Sequence, residues 1–308
     1  MSPKLLITID TELSTFPDGQ GLWARVGNQE WGLGRMLELF HSKCIPATFF
    51  LDVYGRDPSD LAEQRRAAEL IAANGQDLQL HTHPGPAFDP ARPQLRDYSL
   101  AEQQDIIEHG RAQILAWTGH RPTCHRAGDW GADDASLLAL DRCGMRADFS
   151  ASPWSTNCGI DGKSIACNGW ARIGGMLCGI GTCYRDRITG RMRRVDIGGT
   201  SQHEVLDILS RRIDPFVLTL HSFSLVRYNR ARTRFAADPD YITRLLEVCR
   251  VASDMYGYQI STVSQAVTDL ELIGEVGMRS SPLPTTTVMA SGAGILRSIH
   301  GRFVSLSS

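Results

Sequence analysis

Short apolar runs alternate with stretches of helical periodicity along most of the chain. The runs that predict β-strands are 5–10, 47–53, 77–83, 124–130, 145–151, 193–199, 216–222 and 258–264. The stretches that predict helices between them are 33–43, 59–74, 99–117, 133–143, 201–211 and 239–256. The third of these is the clearest, because Ser99 and Glu102 form a capping-box pattern and Ile106, Ile107 and Ile114 share one stripe.

This alternation predicts an α/β protein in which parallel strands are joined by right-handed helical crossovers. Seven or eight such units most often close into a (β/α) barrel, and the chemistry of that fold lies at the carboxyl ends of the strands. The barrel domain is expected to span 1–272. Residues 152–192 have little periodicity and predict a long loop over the site, and 273–308, rich in Ser, Thr, Pro and Gly, predict a mobile C-terminal tail.

The bulk composition excludes some classes of function. The formal net charge of -2, from 32 basic and 34 acidic residues, predicts neither nucleic-acid nor membrane binding. Two Arg-rich segments, 185–194 and 227–234, are local exceptions that predict either solvated or anion-contacting loops. The sequence has no apolar run long enough for a transmembrane helix and no signal-peptide pattern, so a cytoplasmic protein is expected.

The eight cysteines are scattered without the spacing of a common metal motif. They are expected to be free thiols, the alternative being a second zinc site. That site would use the four cysteines of the central segment, Cys158, Cys167, Cys178 and Cys183.

Ionisable residues crowd the carboxyl ends of several predicted strands. These strand-end residues are Asp10, Glu12, His81, His83, His125, Arg126, Asp129, Asp148 and His221. Because residues i and i+2 of a strand point to one face, His81 and His83 can bind one metal ion. They can equally be two ordinary polar residues at a strand end, and the spacing leaves both interpretations open.

The strand-end residues together suit one reaction class. A carboxylate and two imidazoles make a three-ligand divalent-metal site with a position open for water or substrate. A second carboxylate can serve as general base, and a histidine on another strand can protonate a leaving amine. Asp10, Glu12, His81, His83 and His221 can supply all of these parts, which predicts amide hydrolysis.

The order of seven short segments resembles the polysaccharide deacetylase family, the NodB-homology carbohydrate esterases. These segments are TIDTE (8–12), ATFFLD (47–52), GQDLQLHTH (75–83), HRAGDWG (125–131), ADFSASPW (147–154), LTLHS (218–222) and STVSQAV (261–267). The resemblance covers roughly 4–268. It implies a (β/α) barrel of seven or eight strands, often distorted.

The resemblance also implies a divalent metal ion, zinc or alternatively cobalt or nickel. Glu12 would be a ligand, because Thr11 stands where the family's usual liganding Asp would be, and His81 aligns with the first metal histidine. Gly85 occupies the position of the second histidine, and His83 is its expected replacement.

Other roles follow from the same resemblance, one residue at a time. Asp10 would be the general base and His221 the general acid. Arg126 would hold Asp10 ionised, and Asp148 would pair with Arg126. The remaining expectations concern substrate binding: the backbone N–H of Asp129 as an oxyanion donor, and Trp130 or Trp154 as a stacking wall.

The function implied is a metal-dependent removal of an N-acetyl group from an acetylated saccharide or a glycosylated small molecule. A second hypothesis is a hydrolase of another non-peptide C–N bond, such as a cyclic amide or formamide, a reaction that some branches of the family carry out without metal. A third is a non-catalytic sugar-binding protein on the same barrel. The sequence does not indicate an oligomeric state.

Overall fold

The computed structural model describes residues 2–13, 20–161, 165, 167–229, 235–274 and 280–294. The strands are β1 (Lys4–Thr11), β2 (Arg25–Val26), β3 (Gln29–Glu30), β4 (Thr48–Asp52), β5 (Asp77–Thr82), β6 (Cys124–Ala127), β7 (Ala147–Asp148), β8 (Cys167–Ile173), β9 (Met176–Ile180), β10 (Cys183–Arg185), β11 (Met192–Arg194), β12 (Phe216–His221), β13 (Val226–Tyr228), β14 (Phe235–Ala237), β15 (Gln259–Ser261) and β16 (Ser280–Pro282). The helices are α1 (Gln20–Trp23), α2 (Leu33–Ser42), α3 (Pro58–Ala73), α4 (Leu100–Thr118), α5 (Asp134–Arg142), α6 (Gln202–Leu209), α7 (Pro239–Tyr256) and α8 (Val263–Ile273).

One strongly curled mixed sheet dominates the α/β fold. Its strand order is β12-β1-β4-β5-β6-β7-β9-β8-β16, and β15 also pairs with β1. Neighbours from β12 through β9 run parallel, whereas β8 is antiparallel to β9 and to β16. The curled sheet forms a half-barrel, so the expected α/β class and distorted barrel are confirmed.

The six predicted helices correspond to α2 to α7 with ends that agree within two residues. Ser99 and Glu102 form the predicted capping box at the start of α4. Local patterning was sufficient for these helices because each carries its own cap and apolar stripe.

The predicted loop over 152–192 is wrong for much of its length. It contains β8 and β9, which form a hairpin within the main sheet, and β10, which pairs with β11. The turn between β8 and β9 uses Gly174 and Gly175 at φ 56° and 93°, which suits a tight hairpin. The two strands escaped detection because β9 is wholly buried and lacks an alternating pattern.

The tail predicted beyond residue 272 is partly described. β16 adds to the edge of the main sheet, and Thr286 and Ser291 are buried and accept hydrogen bonds from the backbone N–H of Arg187. The described segment 280–294 is therefore in contact with the domain. Residues 275–279 and 295–308 lie outside the described part of the chain, and the mobility of the tail stays a prediction. Every helix among the described residues is too short or too polar to span a bilayer.

The two faces of the sheet have different neighbours. Leu5, Ile7 and Ile9 of β1 belong to the large apolar cluster that includes residues of α3 and α4. Leu6 points the other way, into a second cluster with Phe50, Phe149 and residues of α8. Because strand residues alternate, Thr8 and Asp10 share the face of Leu6. The candidate site therefore lies on the face opposite the helices α3 and α4, at the carboxyl end of the strands.

The second cluster depends on Phe149, whose ring lies 5.9 Å from the Phe50 ring and 5.7 Å from the Trp170 ring, centroid to centroid. Phe149→Ala should lower the free energy of unfolding by about 3–5 kcal/mol, because it leaves a cavity between these rings. Urea unfolding measures the change. Met255→Ala, at a side chain that is 65% exposed, is the control and should change stability by about 0.5 kcal/mol or less. Similar losses in both variants would contradict this description of the core.

Candidate functional site

The candidate site forms at the carboxyl ends of four parallel strands of the curled sheet, two on each side of β4. β1 supplies Asp10, β5 supplies His81, β6 supplies Arg126 and β12 supplies His221. In the register of the sheet Asp10 is opposite His221, and His81 is opposite Arg126. Residues opposite each other in a parallel pair share a face, so the sheet itself gathers these side chains.

Glu12, His81 and His83 form a cluster with ligand atoms within 4.8 Å of one another. Oε1 of Glu12 lies 3.1 Å from Nε2 of His81 and 3.3 Å from Nε2 of His83. The Nδ1 atom of His81 donates to the backbone oxygen of Arg126 at 2.8 Å, which fixes the orientation of the ring and directs Nε2 at the cluster. The structure thus brings the three predicted ligands together, and their role in metal binding stays a prediction.

This donor set fits a divalent metal ion. Two imidazole nitrogens and one carboxylate oxygen converge, and the second nitrogen of His81 is held by a backbone oxygen, as is usual for a metal-binding histidine. A second group, Asp10, Glu12 and His221, also has its ligand atoms within 4.8 Å. These two groups, found among the described residues, contain no cysteine. All eight cysteines are free thiols.

Arg126 forms a buried ion pair with Asp10. Its Nη1 donates to Oδ1 of Asp10 at 2.6 Å, and its Nη2 donates to the hydroxyl of Thr8 at 2.9 Å. Burial raises the pKa of Asp10, but the charge of Arg126 and, to a smaller extent, those of His81 and His221 outweigh it. The pKa of Asp10 therefore lies below its usual value, and the carboxylate is ionised at neutral pH.

His221 lies beside these carboxylates with its ring stacked on Phe223, the two ring centroids 5.0 Å apart. Burial lowers the pKa of His221 and outweighs the charges of Glu12 and Asp10, which raise it, while Arg194 adds to the lowering. The imidazole is therefore mostly neutral at pH 7, and its protonated form is a stronger acid than free imidazolium.

Asp52 is a site carboxylate that the sequence predictions missed. It ends β4, pairs in register with His81 and is 1% exposed. Burial raises its pKa to about 6, against the lowering effect of His83 and His81. Its position at the end of a strand, two residues beyond Phe50, was the signal that could have identified it, by the same rule that identified Asp10.

The predicted pairing of Asp148 with Arg126 is wrong. Asp148 accepts a hydrogen bond from Nδ1 of His125 at 2.8 Å, and Nε2 of His125 lies 3.0 Å from the hydroxyl of Thr82. The register pairs Asp148 with His125, so both point away from the face that carries Arg126. The buried network behind the site ties β5, β6 and β7 together.

A cleft of about 790 Å³ opens over the site. Asp10, Glu12, His83 and His221 line it, together with Asp129 and Trp130. The latter two take φ values of 52° and 57°, which non-glycine residues seldom adopt.

The two predicted stacking residues are in contact, and of the two Trp130 lines the cleft. The rings of Trp130 and Trp154 meet edge to face with centroids 4.9 Å apart. The Arg194 guanidinium, which also lines the cleft, lies over both rings. The sequence marked 185–194 only as a solvated or anion-contacting segment. It gave no sign that Arg194 meets the two tryptophans, because this residue lies in a short hairpin remote in sequence from both.

Gly128 is required by the position of His83. A Cβ atom added at Gly128 would lie 2.3–2.4 Å from three atoms of the His83 ring, which is far inside contact distance. Any side chain at this position must displace the imidazole. The glycine between Arg126 and Trp130 is thus part of how the cluster is built.

A solved structure with the same architecture belongs to a candidate polysaccharide deacetylase from Mycobacterium smegmatis. The superposition has a TM-score of 0.58 and covers 94% of this chain and 97% of that chain, at 16% sequence identity. The chain has the fold of a polysaccharide deacetylase.

Two further structures superpose with lower scores. A family 4 carbohydrate esterase from Streptomyces lividans in complex with acetate gives a TM-score of 0.49 at 11% identity, over 91% of this chain and 98% of that one. A family 4 pseudoenzyme from Bacillus anthracis gives 0.47 at 16% identity, over 86% and 66%. No family model and no curated protein sequence matches the chain.

The Glu12–His83 contact predicts a pH-dependent metal affinity. Burial lowers the pKa of His83, but Glu12 outweighs it and raises that pKa to about 10. The ring is therefore protonated at neutral pH, and a metal ion must displace one proton. The apparent affinity for Zn²⁺ should rise about tenfold per pH unit between pH 6 and 8. Calorimetry in two buffers of different ionisation enthalpy measures the proton released, and an affinity independent of pH would refute the prediction.

Gly128→Ala should weaken Zn²⁺ affinity by about tenfold to a hundredfold, because the methyl group displaces His83. A competing chromogenic chelator measures the affinity. Gly292→Ala is the matched control, because a Cβ atom there meets nothing within 4 Å, and it should bind metal like the wild type. Unchanged affinity in Gly128→Ala would show that His83 is not a ligand.

Proposed function

We propose that this protein is a metal-dependent hydrolase that removes the N-acetyl group from an acetylated sugar. The observation that supports this most directly is the meeting of Asp10 and Glu12 with three histidines and an arginine at the carboxyl ends of four strands, within the fold of the polysaccharide deacetylases. The cleft above these residues is open to a ligand of saccharide size.

Glu12, His81 and His83 would hold the metal ion. We propose zinc, with cobalt and nickel as alternatives, because imidazole and carboxylate donors suit these ions. When bound, the ion supplies a Lewis acid that polarises the amide carbonyl and activates the attacking water.

Asp10 would take the proton of the attacking water. Its carboxylate stays ionised because Arg126 donates to Oδ1 at 2.6 Å, and its other oxygen remains available as an acceptor. His221 would give a proton to the departing amine nitrogen, which suits an imidazolium that is more acidic than usual. The backbone N–H of Asp129 is proposed to stabilise the oxyanion, and Trp130 and Trp154 to bound the sugar.

The test is acetate release from N-acetylated mono- and oligosaccharides, together with metal content by elemental analysis. The wild type should release acetate and hold one zinc, cobalt or nickel ion per chain. Asp10→Asn should lower kcat by about 10²–10⁴-fold and retain the metal, because it removes the base and not a ligand. His83→Ala should lose both the metal and the activity.

Two outcomes favour the other hypotheses. Activity on a cyclic amide or formamide, with no metal after reconstitution, would replace the deacetylase by a metal-independent C–N hydrolase. Saccharide binding without turnover under any of the three metals would indicate a non-catalytic sugar-binding protein. An active Asp10→Asn variant would refute the assignment of the base.

A further inference from the structure

Arg194 is a cation that lines the cleft, and the proposed amide hydrolysis gives it no role. It is the last residue of β11 and lines the same cleft as Asp10 and His221. Its guanidinium carbon lies 4.8 Å from the centroid of the Trp130 ring and 5.2 Å from that of Trp154. Stacking on aromatic rings uses the face of the guanidinium, and its hydrogen-bond donors lie along its edge.

The hydrogen-bonding capacity of Arg194 is largely unused within the described residues. Nε donates to Oδ2 of Asp196 over a long 3.4 Å, and the buried Nη1 atom has no hydrogen-bond partner there. The Asp196 side chain also accepts from the backbone N–H of Gly199. A guanidinium has five N–H donors, so this one retains most of its capacity.

Other arginines around the cleft are better paired. Arg227 donates to Asp238 at 2.9 Å and to Asp240 at 3.3 Å. Arg126 is buried and held by Asp10. Arg194 combines a weak partner with a side chain that is 23% exposed, so a ligand in the cleft can approach it.

We propose that Arg194, fixed on the Trp130–Trp154 pair, binds an oxyanion that the substrate carries, a carboxylate or a phosphate. The planar donor edge of a guanidinium matches two oxygens of either group, and such charge-assisted bonds are among the strongest in proteins. The substrate class is therefore an acidic N-acetylated sugar. This inference rests on the proposed deacetylase function and adds the charge of the substrate to it.

The experiment compares three substrates. N-Acetylglucosamine is neutral, N-acetylmuramic acid carries a carboxylate, and N-acetylglucosamine 6-phosphate carries a phosphate. The wild type should show a higher kcat/KM for at least one acidic sugar than for the neutral one, and the preferred acid identifies the anion. The acidic-to-neutral ratio is the kcat/KM for the preferred acidic sugar divided by the kcat/KM for the neutral sugar. Arg194→Gln should lower this ratio about tenfold or more, mainly through KM, because it removes a charge-assisted contact.

Arg191→Gln is the matched control, since Arg191 lies in the same segment, is exposed and is not part of the cleft wall. It should keep the wild-type ratio. An acidic-to-neutral ratio that is the same in Arg194→Gln and in the wild type would overturn the proposal, even if every variant releases acetate.

A second measurement does not require turnover. Inorganic phosphate should alter the tryptophan fluorescence of the wild type, because Trp130 and Trp154 contact Arg194. Its dissociation constant should rise about tenfold or more in Arg194→Gln and stay unchanged in Arg191→Gln. If no substrate releases acetate, the deacetylase proposal fails, while this titration still decides the oxyanion site. Identical phosphate binding in all three proteins would reject that site.

Discussion

The buried pair of Asp10 and Arg126 is the interaction on which the arrangement of the site depends. Both side chains are almost fully buried, and an isolated charge there would be costly. The arginine is satisfied from several directions: by Asp10, by the hydroxyl of Thr8, by the backbone oxygen of Phe149 and by the face of Phe50, whose ring centroid is 4.4 Å from its guanidinium carbon. Its own backbone oxygen orients His81, so one residue connects the ionised carboxylate to the metal cluster.

The curled sheet separates two polar networks that are adjacent in sequence. Arg126 faces the cleft, and its neighbour His125 faces the opposite side, where it is bonded to Asp148 and Thr82. The alternation of a β-strand accounts for this division. Asp148 pairs in register with His125, so its side chain points to the same face as that of His125. It therefore lies in the network behind the cleft and not beside Arg126.

The cluster of Glu12, His81 and His83 depends both on the local spacing of its histidines and on a residue distant in sequence. The i, i+2 spacing places both imidazoles on one face. Glu12 directly follows β1, which β4 separates from β5, and its side chain reaches both imidazoles. The room for His83 comes from elsewhere, because only a glycine at position 128 leaves space for its ring. The spacing of the two histidines is therefore insufficient by itself to form the cluster. The turn after β6, which contains Gly128, is also part of the site.

The sequence by itself determined the alternation of strands and helices, the ends of α2 to α7 and the strand-end positions of Asp10, His81, Arg126 and His221, because caps, apolar periodicity and strand alternation are local properties. The tertiary structure decided the rest. The place of β8 and β9 in the main sheet, the partner of Asp148 and the packing of Arg194 against two tryptophans all depend on strand order and register. Those properties bring together residues far apart in the chain, and no local pattern records which ones will meet.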